Sequence, residues 1–510
     1  MTLLTTLWLF VPFLRRKPIL ALFFLLYLLQ LSYAIYEGFI RSYYLLDPVL
    51  YNDIFLFRAG TGYVLRSLGL SPALYGGAFL LIVGLIGLLW GLHRLLLGSS
   101  SDQLRRPTRW GILSLVSLAL LSVVWLKDEA GWPETAVSSF SAKLSQNLAL
   151  SREAAAAADR FAGDRLAPFY QLDNLDLDHK PNIHLIFIES YGSVLYKRPD
   201  LRLPYQMMLN LLAYRLDAAG WSAASARSDA PTWGGGSWIA YTSALTGLRL
   251  TSHLDYLILL NRYQQTPFPH LINILRQEGY HSYTLSTHSQ PLNDIEWGRY
   301  KAFYGMDEWL RFPDLPYTGP LYGWGPGPPD QFALHYATDS LKGRGLEPYV
   351  LFYITQNSHY PWTPLPPLLA DWRALNEAPA PEAAVTSELR PLYLAAILYE
   401  LEMLADWIIQ QGDENDLFIL IGDHQPARVA NYADGWDTPL HIISQDEGAI
   451  ASLLDLGFQP GLDTHGVEPI LQHSGLYSLL LRLLQQQNGR SPENLPEFRP
   501  EGVIIGDDSW

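Results

Sequence analysis

Residues 182–190 read NIHLIFIES, an apolar run broken only by His184 and closed by a carboxylate, Glu189. A run this short, rich in β-branched and aromatic residues, predicts a strand covered on both faces. Similar runs recur at 282–286, 349–355, 416–421 and 440–444, and longer amphipathic stretches at 205–219, 237–245, 268–277, 391–411 and 469–487 predict helices between and after them. Strands alternating with helices from residue 181 onward give an α/β class, a doubly wound sheet. The Pro- and Gly-rich stretches 312–329 and 361–381 are expected to be long surface loops at the rim of a cleft.

Toward the amino terminus the pattern changes. Residues 18–36 and 73–92 are uncharged and close to the roughly 20 residues that a helix needs to cross hydrocarbon. Residues 110–126 are shorter, with Trp110 and Trp125 near their ends as interfacial anchors. About three transmembrane helices are therefore expected within 1–126, the apolar stretch 3–13 being too short to cross alone. Arg15, Arg16 and Lys17 before the first span, and Arg94, Arg105, Arg106 and Arg109 between the second and third, assign those segments to the cytoplasm and the remainder to the outside. Residues 127–180, Ala- and Leu-rich over 134–165, are expected to be a helical tether, and 181–510 the catalytic domain.

The 510 residues are 49% hydrophobic and 17% charged, which excludes a disordered or fibrous protein. Residues 1–126 hold 10 Lys and Arg against 4 Asp and Glu, net +6, so the rest of the −15 chain is net −21. A soluble part this acidic argues against a nucleic-acid partner. The chain has no cysteine, so disulfides, thiolate zinc sites and a Cys nucleophile are excluded.

In open α/β sheets ligands bind beyond the carboxyl ends of the strands. The polar residues that follow apolar runs are Glu189, His288, His359, Asp423 and His424. Each alone reads equally well as a cap or a surface histidine. Together the carboxylates and one imidazole make an oxygen-rich set with one nitrogen, suited to one divalent metal ion, manganese, magnesium or zinc. Residues 228–238, SDAPTWGGGSW, place Thr232 before three glycines and a helix starting near Ser237. A helix N-terminus favours a bound phosphate or an incoming alkoxide. Thr232 is then either a metal-activated nucleophile or an ordinary cap.

NIHLIFIES (182–190), the Thr of APTWGGGSW (230–238) and LIGDHQP (420–426) resemble the three metal-site motifs of the alkaline phosphatase and sulfatase superfamily. The resemblance is to its membrane-anchored lipoteichoic acid synthase and phosphoglycerol transferase branch, phosphoethanolamine transferases being similar in layout. It covers about residues 180–485. It implies that Glu189, Thr232, Asp423 and His424 bind one divalent metal, with Thr232 attacking a phospholipid phosphodiester to form a phosphothreonine intermediate. Diacylglycerol would leave and a second hydroxyl accept the head group. HSQPLNDIEWGR (288–299) is similar to the branch's glycerophosphate-holding segment, which implies substrate contacts from His288, Trp297 and Arg299. NSHYPW (357–362) is similar to its Ser-His-x-Pro segment and implies a substrate or leaving-group contact from His359. Arg299 reads alternatively as an ion pair with Glu296 or Asp294. His473 reads as a further contact or as a cap, and stays outside the primary site. True sulfatases need Cys or Ser in C/S-x-P-x-R for formylglycine, whereas Thr232 is followed by WGGG, so sulfate ester hydrolysis is not expected.

The resulting expectation is a metal-dependent transferase of the bacterial inner membrane, multi-pass, with a periplasmic catalytic domain. It would move a phosphoglycerol or phosphoethanolamine group from a phospholipid donor to an envelope glycan or lipid. A phosphodiesterase or phosphatase with water as acceptor, and a catalytically inactive envelope binding protein, are the alternatives.

Overall fold

The computed structural model describes residues 17–43, 48–55, 57, 84, 86–87, 139–156, 161, 163–170, 175–288, 294–323, 325–380, 382, 388–491 and 495–504. The chain divides into two compact units, residues 1–42 with 46–155 and residues 43–45 with 156–510.

The larger unit contains eleven strands among the described residues: β1 (Asn182–Ile188), β2 (Ser222–Asp229), β3 (Leu248–Arg249), β4 (His281–Ser286), β5 (Glu308–Arg311), β6 (Tyr349–Ile354), β7 (Asp416–Gly422), β8 (Asp437–Ser444), β9 (Gln459–Pro460), β10 (Leu471–Gln472) and β11 (Val503–Ile504). Its main sheet runs β10-β2-β8-β7-β1-β6-β4-β5, with β9 on β2; β3 and β11 pair separately. β1 lies parallel to β6 and β7 at the sheet's centre. The doubly wound expectation needs one correction, since β8 runs antiparallel to both β7 and β2 and the sheet is mixed.

Alternation along the central strands builds two cores. Ile183, Leu185 and Phe187 of β1 join Leu417, Ile419 and Ile421 of β7 on one face, with helices Ser237–Thr246 and Gly475–Asn488. Ile186 and Ile188 join Phe418 and Leu420 on the other, under helices Pro199–Ala218, Asp330–Gly343 and Leu389–Gln411. Each such side chain stabilises by about 1.5–3 kcal/mol on burial.

β2, SAASARSD, has no apolar run, yet lies inside the sheet between β10 and β8. Small residues let its neighbours close over it, and several of its polar groups find partners across the sheet, although buried Arg227 Nε has none among the described residues. Ser225 Oγ bonds His441 Nδ1 (2.7 Å) and donates to the Gly461 carbonyl (2.6 Å), and Arg227 pairs with Asp437 (3.2 Å). Helix Asp330–Gly343 was hidden by the mixture it buries, Phe332, Leu334 and Leu341 beside His335 and Thr338. The expected loop over 361–381 carries a short 3-10 helix, Trp372–Asn376, with Trp372 and Leu375 buried.

In the smaller unit, helix Lys17–Tyr43 covers the first expected span and runs past it into polar sequence, where Glu37 pairs with Arg41 (3.0 Å) and Lys143 (2.7 Å). Helix Phe140–Ala156 lies within the expected tether. Among the described residues no helix is long and apolar enough to cross a membrane. The stretches 3–13, 73–92 and 110–126 lie outside the described residues, apart from helical positions 84, 86 and 87.

Candidate active site

Ile188 stands opposite Gly422 in the β1–β7 register, so the residues that follow these strands emerge side by side. They are Glu189 from β1, and Asp423 and His424 from β7. The close approach requires glycine: a Cβ on Gly422 would lie 1.9 Å from the Tyr191 carbonyl oxygen. The chain leaves β1 through Ser190, which holds φ 58, unusual for a residue with a side chain. Ser190 N–H donates to Asp423 Oδ1 (2.7 Å) and its Oγ to Glu189 Oε1 (2.8 Å), so one residue orients both carboxylates.

One ligand atom from each of Glu189, Asp423 and His424 lies within 4.8 Å of the others. His424 Nε2 is 3.7 Å from Glu189 Oε1 and 3.3 Å from Asp423 Oδ2. His424 Nδ1 meets the Gln425 carbonyl at 3.0 Å; a carbonyl only accepts, so Nδ1 carries the proton and Nε2 presents a lone pair. Burial lowers the His424 imidazole's pKa. Burial, then the Glu189 charge, pushes the Asp423 carboxyl well above its ordinary value. Burial alone would raise Glu189 too, but His359 and His424 together hold it below the usual range. Asp423 Oδ2 is buried with no hydrogen-bond partner among the described residues. Three buried acceptors therefore face one another, two of them carboxylates, with an orphaned oxygen among them. A divalent cation fits that donor set.

The hydroxyl on this cluster is Ser237. Its Oγ lies 3.3 Å from Glu189 Oε2 and 3.4 Å from His424 Nε2. It is the first residue of helix Ser237–Thr246, with Gly236 before it in the left-handed region at φ 84. Thr232, expected in this place, instead donates its hydroxyl to the Gly235 carbonyl. No hydrogen bond among the described residues joins Thr232 to the three ligands. Ser237 stands at the helix N-terminus itself and Thr232 five residues earlier; that place at the expected helix start was the usable signal.

His359 Nδ1 donates to the Tyr360 carbonyl (2.6 Å), and its Nε2 stands 4.0 Å from Glu189 Oε1. His288 lies within electrostatic reach of both: burial, then the His359 charge, pushes its pKa down to about 4. Trp297 and Arg299 lie on helix Asp294–Tyr304. Trp297 belongs to an aromatic cluster, stacked on Tyr300 (6.0 Å) and edge-on to Trp309 (5.0 Å), with the Arg311 guanidinium 5.2 Å above it. No hydrogen bond or ion pair among the described residues joins Trp297 or Arg299 to the cluster. The His473 ring bonds Ser228 Oγ and the Gly422 carbonyl, both at 2.9 Å, tying β2 to the end of β7, and its backbone carbonyl accepts the Leu476 N–H (3.1 Å) at the start of helix Gly475–Asn488.

Residues 240–449 match the sulfatase family model. The matched segment lies within the mixed α/β unit. The matched segment includes His288, His359, Asp423 and His424; Glu189, Thr232 and Ser237 lie upstream. Solved structures similar to the chain include an alkaline phosphatase superfamily protein from Vibrio parahaemolyticus (15% identity, 64% of this chain and 77% of that one, TM-score 0.43). Others are the lipoteichoic acid synthase LtaP from Listeria monocytogenes (15%, 55% and 71%, TM-score 0.39) and the Streptococcus pyogenes phosphoglycerol transferase GacH in complex with sn-glycerol-1-phosphate (13%, 66% and 85%, TM-score 0.36). No match was found among curated proteins.

Proposed function

We propose that the chain is a metal-dependent transferase with Ser237 as nucleophile, moving a phosphoglycerol or phosphoethanolamine group from a phospholipid to an envelope glycan or lipid. The membrane helices expected within 1–126 would hold it in the bacterial inner membrane with the catalytic domain outside. The observation that supports this best is the Ser237 hydroxyl, at a helix N-terminus, touching a buried Glu–Asp–His set.

Glu189, Asp423 and His424 would hold one divalent ion, which supplies Lewis-acid stabilisation of charge on the phosphoryl oxygens and the nucleophile. Ser237 Oγ bonds to phosphorus while the bond from phosphorus to the diacylglycerol oxygen breaks. The first-turn N–H groups of helix Ser237–Thr246 face the charge that develops on the non-bridging oxygens. The Ser237 proton leaves along its contact with Glu189 Oε2. His359, its Nε2 toward the cluster, donates a proton to the departing alkoxide. The acceptor hydroxyl then bonds to the phosphoserine phosphorus, passing its proton to His359, while the bond from phosphorus to Ser237 Oγ breaks and Oγ recovers its proton from Glu189. His288, Trp297 and Arg299 are the proposed head-group contacts, with Trp297 and Arg299 approaching from their helix.

Turnover of a fluorescent phosphatidylglycerol by the purified full chain with manganese tests the assignment. Ser237→Ala is expected to lose about 1000-fold or more, the scale of losing a group on which the chemistry depends, and Thr232→Ala to stay within about threefold. The opposite pattern would return the nucleophile to Thr232. Product analysis with and without a glycan acceptor separates transfer from hydrolysis.

A further inference from the structure

Away from the metal cluster the domain buries a second pair of carboxyl groups, Asp330 and Glu400, both fully enclosed. Asp330 opens helix Asp330–Gly343 and Glu400 lies midway along helix Leu389–Gln411. Three donors converge on Asp330. Its Oδ2 accepts the backbone N–H of Gln356 (2.8 Å) and of Asn357 (2.7 Å), and its Oδ1 accepts the Tyr353 hydroxyl. In return, Asp330 N–H donates to Asn357 Oδ1 (2.8 Å). Neither carboxyl oxygen of Glu400 meets a donor among the described residues, and its side chain lies within hydrogen-bonding reach of Asp330. Burial raises the pKa of both groups, and Asp330 raises Glu400 further. With the donors all on one side, Asp330 is the anion and Glu400 the neutral acid.

The turn that Asp330 grips is the one leading to His359. Thr355 Oγ1 accepts the N–H of Glu189 itself (3.1 Å), and Thr355 N–H donates to the Phe187 carbonyl (2.9 Å). His359 N–H closes the turn on the Gln356 carbonyl (3.1 Å), and Trp362 Nε1 braces it through the Ser358 carbonyl (2.8 Å). One end of this four-residue turn is thus tied to a metal ligand's backbone, and the other carries the imidazole facing that ligand.

We infer that Asp330 is a positioning residue for His359: its carboxylate fixes the 356–359 turn against β1, with Glu400 as its neutral neighbour. The role rests on the proposed chemistry only in that His359 serves the transfer. Three variants of the full chain test it by hydrogen exchange of the turn amides, manganese affinity and phosphatidylglycerol turnover. Asp330→Asn presents only one good acceptor toward two N–H groups. It is expected to speed exchange at 356–359 about tenfold and lower kcat about tenfold, while KM and manganese affinity stay within about twofold, since a charge-assisted hydrogen bond contributes roughly that factor. Glu400→Gln, a neutral group of the same shape, is expected to leave all three readouts within about twofold. If Asp330→Asn does not fold, Tyr353→Phe, which removes one donor, decides, with a smaller change in the same two readouts. Unchanged exchange in the folded variants, or faster exchange with unchanged kcat, would overturn the role. So would a Glu400→Gln variant as damaged as Asp330→Asn, because Glu400 would then be the anion. Exchange needs no substrate. Accelerated exchange in Asp330→Asn, from a parent that turns over no phosphatidylglycerol, would therefore sink the lipid reading while leaving Asp330's hold on the turn supported.

Discussion

Ser190 shows how much of the candidate site depends on a residue that takes no part in chemistry. Its backbone N–H holds Asp423 Oδ1 and its hydroxyl holds Glu189 Oε1, so two of three ligands are oriented by one residue, and Glu189 by its side chain. Such outer partners typically contribute 10–100-fold to metal affinity. Ser190→Ala should therefore weaken manganese binding about tenfold, read by calorimetric titration of the full chain; a dissociation constant within twofold of the parent would show that the ligands are oriented by other means. Glu189, Asp423 and His424 were legible in the sequence because each directly follows an apolar run, and strand ends are where a sheet exposes polar groups. Ser237 was not. A hydroxyl carries no periodicity, and Gly234, Gly235 and Gly236, at φ 71, 156 and 84, let the backbone take directions closed to other residues. Which of Thr232 and Ser237 reaches the cluster is decided by those angles.

At the scale of elements, the site depends on how closely β7 and the loop after β1 approach. Gly422 ends β7 with no room for a side chain, a Cβ there lying 1.9 Å from the Tyr191 carbonyl oxygen and 3.0 Å from Thr438 Cβ. The obstacle is backbone, which cannot swing away. Gly422→Ala should destabilise by about 1–3 kcal/mol, the usual result of overpacking, and weaken manganese binding because Asp423 is the next residue. Thermal melting and manganese titration together check this; a variant with parental stability and affinity would mean that β7 shifts freely. The central strands could be read from composition because both their faces are buried. β2 could not, since its Ala and Ser residues are selected for closeness and internal hydrogen bonding. β8 was legible only from residue 440, its first residues Asp437, Thr438 and Pro439 being buried but not apolar in pattern. Its antiparallel direction is a property of the connection between strands, which strand composition does not encode.

At the scale of the whole molecule, the charge division, net +6 before residue 127 and net −21 after it, was plain in the sequence. How the domain's layers are joined was not. His441 is one such joint. From β8 it bonds Ser225 of β2 through Nδ1 (2.7 Å) and the Tyr191 hydroxyl through Nε2 (2.9 Å), among Leu209, Leu212 and Leu216 of helix Pro199–Ala218 and Leu401, Ala405 and Ile408 of helix Leu389–Gln411. Burial pushes its pKa down to about 3, against about 6.5 in an unfolded chain. The sign follows from proton counting. Below about 6.5 the unfolded chain binds a proton that the folded chain refuses, so the neutral imidazole's contribution is complete above that pH and is lost as pH falls toward 3. Other groups have the opposite sign: Glu400, raised by burial, favours the folded state at low pH. The total slope therefore mixes terms, whereas the difference between parent and His441→Gln isolates one. Whatever that substitution costs at pH 7, the stability gap should narrow as pH falls from 6.5 to 4, by up to about 3 kcal/mol at roughly 1.4 kcal/mol per pH unit. Denaturant unfolding of both proteins across that range measures it. A gap that stays constant would mean that His441 accepts its proton within the fold, and that the joint between sheet and helices opens well before the domain unfolds.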